Sequence, residues 1–446
     1  MNRKVTQILL MIFGAMLAAE LIFVGAMHIQ KNRDASETQP ATEPTAEITE
    51  APTEEETQAP AETDPPETEP PETEPQEQRY TLTFAGDCTL GSTASKWNSS
   101  YSFIQTIGED YDFPFAKVAE YFESDDFTMV NLEGPLTETG TAAQKQFAFK
   151  GPTAYTQILT GSSVEAVTLA NNHSEDYGTE GYESTTKVLG EAGVAYVEKN
   201  KTTLVTTESG LKIGLYAAAF EFNYNSIKTN IAQLRADGAE IVIAAFHWGT
   251  EGSYRPTSSQ QSFGRAAIDA GADIVFGHHP HVLQKIEQYG DGYIFYSLGN
   301  FSFGGSSSPQ DYDTAILQME VIRDVEGNVS LGELTIIPCS ASSASGYNNY
   351  QPIPLEEGTT AYDRVLSKLD GSFTGADLVV DYNKNSTSET TAATTPAATA
   401  PAEVTPAETA APATPDSSSS ESGGDSAGES GGDSGSDILE PDPDTI

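Results

Sequence analysis

Residues 240–249 read EIVIAAFHWG, and residues 273–282 read DIVFGHHPHV. Each stretch begins with a short apolar run, rich in β-branched residues, that predicts a buried strand. Between them, residues 259–270 have helical spacing and are followed by Gly271, a helix-ending residue. Strand, helix and strand in this order predict neighbouring parallel strands in an α/β sheet. Both strands run into a loop that carries histidine.

The same pattern recurs along the chain. Further strands are predicted at 80–86, 127–131, 164–170, 211–219 and 292–297, with helices at 115–122, 153–159, 179–192 and 226–236. A final strand pair is predicted at 314–322 and 329–337, around the turn Gly327-Asn328. The sheet is therefore expected to be largely parallel at first, with antiparallel additions late. Open α/β sheets bind ligands beyond the carboxyl ends of their strands, so polar residues there are expected to converge.

Histidine is concentrated at these strand ends. Of the six histidines, only His28 lies elsewhere, and the others are His173, His247, His278, His279 and His281. Neutral imidazole is the commonest protein ligand for zinc-like metals, and histidine is also the usual acid–base group near neutral pH. The clustering therefore predicts a metal site or an acid–base site.

Carboxylates and an amide accompany the histidines at the same strand ends. The predicted ligand set is Asp87, Glu133, Asn172, His247, His279 and His281. Mixed oxygen and nitrogen ligands suit Mn, Fe or Zn better than Mg or Ca, and one or two ions are expected. His173 lies beside Asn172 and could act as a general acid or base.

Several of these residues have a structural alternative. Asp87 could be a turn or helix-cap residue, and His247 could end a strand with Trp248 packed beside it. Cys88 could be a nucleophile because it follows Asp87 directly, but a small residue at a strand end is the more common reason for such a cysteine. Whether Cys88 and Cys339 form a disulfide is left open by the sequence.

Composition divides the 446 residues into four segments. Residues 1–33 contain an apolar run at 5–29, long enough to span a bilayer and interpreted as a single-pass signal-anchor, with a cleaved signal peptide as the alternative. Residues 34–79 and 385–446 are rich in Pro, Thr, Glu, Ser and Gly, and are predicted to be disordered. One domain is expected at 80–384. On either interpretation of the N-terminus, this domain lies outside the cytoplasm.

The net charge of −44 comes from 66 acidic residues and 22 basic residues. Phosphate backbones are bound by clustered Lys and Arg, which this chain lacks, so nucleic acid is excluded as a partner. If the substrate is a polyanion, a bound metal could offset its negative charge, because the chain lacks the surface cations that would otherwise do so.

A series of motifs gives a more specific indication. The succession AGDCTLG, NLEGPLT, ANNHSEDYG, FHWGTEGSYRP, AGADIVFGHHPHVLQKIE and IFYSLGNFSFG resembles the CapA family of bacterial capsule and poly-γ-glutamate synthesis proteins, in order, across residues 81–303. That family is similar to the calcineurin-like metallophosphatases. The resemblance implies a four-layer α/β/β/α sandwich of metallophosphatase type.

The resemblance also implies roles for single residues. Asp87 matches the first-motif Asp, and Glu133 stands near the bridging carboxylate, which in the phosphatases is Asp. Asn172 and His173 match the Asn-His pair, His247 the lone histidine, and residues 279–281 the His-x-His. Thr89 stands where the phosphatase motif has a ligand histidine. Catalytic roles are predicted for His173, Glu251 and Asp176. Supporting or substrate-contacting roles are predicted for His278, Asn131, Asn300 and Arg255.

Three functions remain open on this basis. The first is a surface-anchored, metal-dependent hydrolase or transferase that acts on an anionic polymer such as poly-γ-glutamate or capsule polysaccharide. The second is a non-catalytic accessory protein that binds the polymer for export or anchoring, alongside other capsule-synthesis membrane proteins. The third is a phosphoesterase. The membrane, through the N-terminal segment, is a further expected partner.

Overall fold

The structure, a computed structural model, describes residues 76–380 of the chain. The predicted signal-anchor 1–33, nearly all of the predicted linker 34–79 and the predicted tail 385–446 lie outside the described residues. Within residues 76–380, no helix is both long enough and apolar enough to cross a membrane. The first strand begins at Gln78, two residues before the expected start of the domain.

The larger sheet combines parallel strands with a late antiparallel addition. Its strands are β1 (Gln78–Thr89), β3 (Phe127–Leu132), β5 (Ala166–Thr168), β6 (Ala195–Val197), β13 (Asn300–Phe303), β14 (Asp313–Arg323), β15 (Val329–Ser340) and β16 (Ile353–Pro354). The order is β16-β15-β14-β1-β3-β5-β6, with β13 also paired to β1. The strands β1, β3, β5, β6 and β13 run parallel, whereas β14, β15 and β16 pair antiparallel, which confirms the expected late hairpin.

The second sheet contains the strands predicted within residues 240–249 and 273–282. Its strands are β7 (Thr202–Thr206), β8 (Lys212–Ala219), β9 (Ile241–His247), β10 (Ile274–His278), β11 (Ile286–Tyr289) and β12 (Gly292–Phe295). The order is β11-β12-β10-β9-β8-β7, with β8, β9, β10 and β12 parallel. A small separate ladder joins β2 (Ser92–Thr93) to β4 (Phe149–Lys150).

In the described part of the chain, six helices cover the outer faces of the sheets: α1 (Phe103–Ile107), α2 (Ala119–Glu123), α3 (Thr156–Thr160), α4 (Gly178–Ala192), α5 (Tyr224–Ala236) and α6 (Ser258–Asp269). A seventh helix, α7 (Thr360–Leu369), packs its buried residues Val365 and Leu369 into the core between the sheets. The helices α1 to α4 pack on the larger sheet, and α5 and α6 pack on the second sheet. The helix α6 begins with a capping box formed by Thr257 and Gln260, which satisfies backbone N–H groups that the helix leaves unpaired.

The two sheets share one apolar core. Alternate residues of β1, including Leu82 and Phe84, face the second sheet, and the rings of Phe84 and Phe276 lie 5.1 Å apart. The neighbouring residue Ala85 packs with the helices on the opposite face, as the two-residue period of a strand requires. The layers therefore run helix, sheet, sheet, helix, in agreement with the four-layer expectation.

The structure differs from the predicted elements at one helix. The predicted helix 115–122 is replaced by turns up to Val118 and a short α2 from Ala119. Hydrogen bonds of the i to i+3 type, such as Val118 N to Phe115 O at 2.9 Å, form the turns. The buried ring of Phe115 packs on Phe122 and Phe301, so tertiary contacts override the local helical spacing. In addition, the sequence did not predict the strands β2, β4, β6, β7, β11, β13 and β16 or the helices α1 and α7.

A buried acid just before β3 leads to a prediction about stability. Burial raises the pKa of Asp125 to about 7, although a hydrogen bond donated by Thr128 at 2.6 Å acts in the opposite direction. The folded state therefore holds this proton more tightly than the unfolded chain, where the pKa of Asp is about 3.9. The resulting stabilisation is present below about pH 4 and is lost as the pH rises through about 7.

We therefore expect Asp125→Asn to gain stability relative to the parent chain between pH 4 and pH 8. The gain in the free energy of unfolding is at most about 4 kcal/mol, at about 1.4 kcal/mol for each unit of pKa. Urea denaturation at the two pH values measures it. The exposed Asp110→Asn is the control, and an Asp125→Asn gain that does not change with pH would contradict the prediction.

Candidate metal centre

The predicted ligands meet where the carboxyl ends of the parallel strands of both sheets come together. Asp87 lies near the end of β1 and is in register with Asn131 of β3 and Asn300 of β13. On the second sheet, His247 ends β9 opposite His278, which ends β10. The two sheets meet through Asp87, whose Oδ1 lies 3.0 Å from His278 Nδ1.

A close approach between backbones places Asp87 in this position. The N–H of Asp87 donates to the carbonyl of Gly299 at 2.8 Å. A Cβ at the preceding residue, Gly86, would lie 2.1 Å from the same carbonyl oxygen. Only glycine allows β1 to approach the loop before β13 this closely, which explains the AGD sequence at this strand end.

The carboxylates of Asp87 and Glu133 form the floor of the site. Asn131 Nδ2 donates to Asp87 Oδ1 at 2.9 Å and to Glu133 Oε2 at 3.4 Å. His281 bridges the pair, with Nδ1 3.1 Å from Asp87 Oδ2 and Nε2 3.8 Å from Glu133 Oε1. Asn300 Oδ1 accepts a hydrogen bond from the same Nδ1 at 2.9 Å. Both carboxylates are fully buried.

Two groups of side chains have the spacing of metal ligands. Asp87, Glu133 and His247 form one group, and Glu251, His279 and His281 form the other, each with ligand atoms within 4.8 Å of one another. Asn172 adds its Oδ1, which lies 2.9 Å from His247 Nε2. The structure thus brings all six predicted ligands into one region and adds the carboxylate of Glu251, predicted here as catalytic, beside His279 and His281.

Buried polar atoms test whether these residues suit a cation. Among the described residues, Glu133 Oε1, His247 Nδ1 and His279 Nδ1 are buried without any hydrogen-bond partner. Unsatisfied buried polar atoms are costly and therefore rare in folded proteins. A divalent cation bound among these carboxylates and imidazoles would satisfy them, so the residues present fit a metal.

The charges of the site depend on burial and on its neighbours. Burial lowers the pKa of His279 to about 4, helped by the positive charge of His281, and burial also lowers the pKa of His247. Burial raises the pKa of Glu133 to about 8. For His281, burial acts to lower the pKa, but Glu133 and Asp87 raise it to about 10. Two imidazoles are therefore neutral and able to bind a metal, while His281 holds a proton that a metal would displace.

The loop that carries His279 and His281 has an unusual backbone. Their φ angles are 98° and 56°, in the left-handed region that side chains other than glycine rarely adopt. Such strain costs of order 1–3 kcal/mol per residue and is found mainly at functional sites. Phe220, with φ 56°, packs its ring 4.9 Å from His279 and 5.5 Å from His247. Phe220 directly follows β8, but no motif in the sequence marks it as part of the site.

His173 lies at the edge of the site with a carboxylate partner. Its Nδ1 is 2.8 Å from Asp176 Oδ2, and its Nε2 lies 3.8 Å from Glu133 Oε1. Asp176 also accepts from the Phe149 backbone N–H at 2.6 Å and pairs with Lys145 at 2.5 Å. Burial lowers the pKa of His173, although Asp176 acts to raise it. The arrangement suits a neutral imidazole with one fixed tautomer.

Three other predicted residues can now be placed. Asn131, His278 and Asn300 contact the ligand side chains directly, as described above. Arg255 instead binds the segment after α7, through Asp377 Oδ1 at 2.9 Å. Thr89, where the resemblance implies a histidine, is buried with its Oγ1 unpartnered within the described part of the chain.

The cysteines are structural. Cys88 is buried in the apolar layer beneath α1 to α4, and burial raises the pKa of its thiol far above the usual value. A thiol held in this neutral form is a poor nucleophile. Cys88 and Cys339 are both free thiols in the structure, so the disulfide alternative is not supported.

The fold and the site define a two-sheet α/β protein with a centre of imidazoles and carboxylates suited to divalent metal. The family model for bacterial capsule synthesis protein PGA_cap matches residues 81–305. The chain therefore belongs to the PGA_cap family, and the resemblance to CapA proteins is confirmed. All six predicted ligands lie inside the matched region.

Relatives of known name agree with this membership. The capsule biosynthesis protein CapA of Bacillus anthracis is 28% identical over 278 residues, which cover 56% of this chain and 65% of that protein. The chain thus spans just under two thirds of that relative. The PGA biosynthesis protein CapA of Bacillus subtilis (strain 168) is 28% identical over 316 residues, covering 65% of this chain and 77% of that protein.

Solved structures give more distant similarity. The NAD nucleotidase NadN of Haemophilus influenzae is 11% identical, with a TM-score of 0.33, and the match covers 67% of this chain and 63% of that one. The purple acid phosphatase PPD1 from yellow lupin seeds is also 11% identical, with a TM-score of 0.30 and coverage of 69% and 58%. TM-scores this low support no argument about function.

Proposed function

We propose that this chain is a metal-dependent hydrolase or transferase of metallophosphatase type that acts on an anionic polymer during capsule synthesis. Poly-γ-glutamate is the first candidate substrate, because the named relatives are CapA proteins of capsule and PGA synthesis. One observation carries the proposal: two buried carboxylates and several neutral imidazoles, with unpartnered polar atoms, converge beside an open cleft.

The residues at the floor of the site have two roles, metal binding and orientation of the metal-binding side chains. Asp87, Glu133, Asn172, His247, His279 and His281 would hold one or two ions of Mn, Fe or Zn. Such an ion polarises a carbonyl or phosphoryl oxygen and lowers the pKa of water. Asn131 and Asn300 orient the carboxylates and the His281 ring by hydrogen bonds, a task that polar neighbours of metal ligands commonly perform.

His173 is the general acid–base group of the proposal. Asp176 Oδ2 accepts the Nδ1 proton, which leaves the Nε2 lone pair directed toward Glu133 and the cleft. Because burial keeps this imidazole neutral, Nε2 can accept a proton from an attacking nucleophile and return it to a leaving group. Asp176 is a positioning residue, since it acts through His173.

We expect His173→Ala to lower kcat by about 10²–10⁴-fold, the usual contribution of acid–base catalysis, while the metal content stays unchanged. Asp176→Asn should lower kcat less and shift the pH profile, because the imidazole of His173 remains and loses only its carboxylate partner. Elemental analysis and cleavage of poly-γ-glutamate or chromogenic phosphate esters measure both effects. The exposed Lys187→Ala on α4 is the control, and unchanged kcat in His173→Ala would contradict the assignment.

A second candidate, a non-catalytic accessory protein, is favoured by one observation. Thr89 stands in place of the implied ligand histidine and cannot supply an imidazole. This function predicts that the parent chain binds polymer without cleaving any amide or phosphate ester, and that binding survives His173→Ala. The same assays therefore separate the two candidates, and the ester assay tests the phosphoesterase alternative.

Display at the cell surface is part of the proposal. The apolar run at 5–29 would anchor the chain as a single-pass membrane protein, with the domain outside the cytoplasm. Secretion after cleavage of the same segment is the alternative. Membrane fractionation together with N-terminal sequencing of the mature protein would distinguish them.

A further inference from the structure

The segment after α7, residues 371–380, crosses the loop that follows β9, and we call it the strap. Asp377 holds it in place, because its Oδ1 accepts from Arg255 Nη1 at 2.9 Å and from Tyr254 N at 3.0 Å. Its Oδ2 accepts from Ser253 Oγ at 3.1 Å. One residue later, Leu378 N donates to the carbonyl of Gly252 at 2.9 Å. These hydrogen bonds attach the strap to residues 252–255 of the loop that follows β9, directly after Glu251.

The contact with Gly252 is tight. This residue has φ 75°, and a Cβ there would lie 2.9 Å from Leu378 O and 3.0 Å from Leu378 Cβ. Both the backbone conformation and the closeness of the strap therefore call for glycine. Because Gly252 directly follows Glu251, the strap lies next to the candidate metal centre in space, although it is far from Glu251 in the sequence.

The strap forms part of the cleft above that centre. The cleft has a volume of about 690 Å³, and its lining includes His173, Glu251 and His281 from the site. The strap contributes Leu378, Val379 and Val380 to the same lining.

Three aromatic side chains form another part of the wall. Phe147, Phe149 and Phe303 line the cleft, and Phe149 packs on His173 while Phe303 packs on His281. The imidazole-rich floor is thus bordered by apolar side chains from two separate parts of the chain.

The exposure of the strap residues points to a ligand. Val379 is 78% exposed and Val380 is 36% exposed, which is unusual for apolar side chains in a cleft next to a polar site. Exposed apolar surface at a cleft is typical of ligand-binding sites. Among the lining residues in the described part of the chain, Lys96 is the sole lysine or arginine. Recognition along these walls is therefore mainly apolar rather than ionic.

The strap also lies outside the region that defines the family. The PGA_cap match ends at residue 305, whereas the cleft lining continues through residues 306–311 and 378–380. Gln310 Nε2 donates to the Val379 carbonyl at 3.4 Å and connects these two parts. The candidate ligands therefore lie inside the family match, while part of the wall lies in loops outside it, and loops are where specificity commonly resides.

We propose that Leu378, Val379 and Val380 are specificity-determining residues that contact the substrate of the proposed reaction. These three residues select a polymer whose methylene groups or rings lie on either side of the group that reaches the candidate metal centre. An anionic polymer fits if its methylenes lie along the walls and its carboxylates point to solvent. This inference rests on the proposed function, and it specifies which part of the substrate the walls of the cleft recognise.

The test uses full-length variants loaded with Mn. Val379→Asn is expected to raise KM for poly-γ-glutamate, and its Kd, about tenfold, since losing roughly 1.4 kcal/mol of apolar contact is a factor of ten. The metal content and kcat should stay within about twofold of the parent, which is small beside the tenfold change in KM. The melting temperature should not change. Val325→Asn is the matched control, because Val325 is an exposed valine between β14 and β15. Equal KM and Kd in the two variants would overturn the inference.

A second measurement needs no substrate. Asp377→Asn weakens the attachment of the strap to Arg255, so extraction of bound Mn by EDTA should become severalfold faster than in the parent. Glu191→Gln, which alters an exposed ion pair on α4, is the control. An unchanged extraction rate would show that the strap does not affect access to the metal centre, and would contradict contact between the strap and a ligand bound there. A parent chain that holds metal but neither binds nor cleaves polymer would instead contradict the proposed function alone.

Discussion

Replacing His281 with alanine is expected to remove metal from the purified protein while the domain stays folded. His281 contacts both floor carboxylates, at 3.1 Å from Asp87 and 3.8 Å from Glu133. Without it, the centre loses one imidazole ligand and the ring that Asn300 orients. Loss of even a supporting residue lowers metal affinity about 10–100-fold, so the loss of a ligand should lower the bound metal at least tenfold. Elemental analysis after dialysis against a weak chelator measures the change.

Two comparisons make this result specific. Lys187→Ala, on the exposed face of α4, should keep the parent's metal content and melting temperature. Asn300→Ala should lose less metal than His281→Ala, because it acts only through the orientation of the imidazole. Full metal content in His281→Ala would contradict the proposed centre, whereas an unfolded variant would show that His281 has a structural role.

Replacing Lys368 with alanine is expected to cause the largest loss of stability. Lys368 lies on α7, is 3% exposed, and its Nζ contacts Asp311 at 2.5 Å and Asp313 at 2.7 Å. Burial acts to raise the pKa of Asp313, but hydrogen bonds from Arg364 and the charge of Lys368 lower it. Removing Lys368 leaves Asp311 without its cation and Asp313 with Arg364 alone, and breaking a buried ion pair in this way costs about 3–5 kcal/mol. Urea denaturation near neutral pH measures the loss.

The control for this variant is Lys228→Ala on the exposed face of α5, which should change stability by no more than about 0.5 kcal/mol. Lys368→Met keeps most of the side-chain volume but removes the charge. We expect it to be nearly as unstable as Lys368→Ala, because neither variant supplies a cation to Asp311. A loss below about 1 kcal/mol in both variants would mean that solvent reaches these acids and screens the pair.

The candidate centre was accessible from the sequence because its residues lie in short motifs at strand ends. His247 and His278 each follow an apolar run, and parallel neighbours bring such ends to one edge of the sheet. The register of β9 and β10, with His247 opposite His278, agrees with this reasoning. The resemblance to CapA proteins added the second sheet, since strand periodicity alone does not show how strands divide between sheets.

The contacts of Arg255 could not be read from the sequence. The residue lies in a family motif close to HWG, and a supporting or substrate-contacting role is predicted for it. The structure places its guanidinium on Asp377, 122 residues away in the chain. Nothing in the composition of residues 371–380 marks them as the wall of a cleft, because they have no periodic pattern and form no helix or strand.

The sequence alone determined the α/β class, the convergence of histidines and carboxylates, and the kinds of metal they suit, because periodicity and residue type are local properties. Tertiary structure alone decided which polar groups become neighbours across long separations. Lys368 finds Asp311 across 57 residues, and Asp377 finds Arg255 across 122. Such contacts form where burial makes an unpaired charge costly, or where a loop presents hydrogen-bonding groups that have no local partner. Both conditions arise only once the chain is folded and packed.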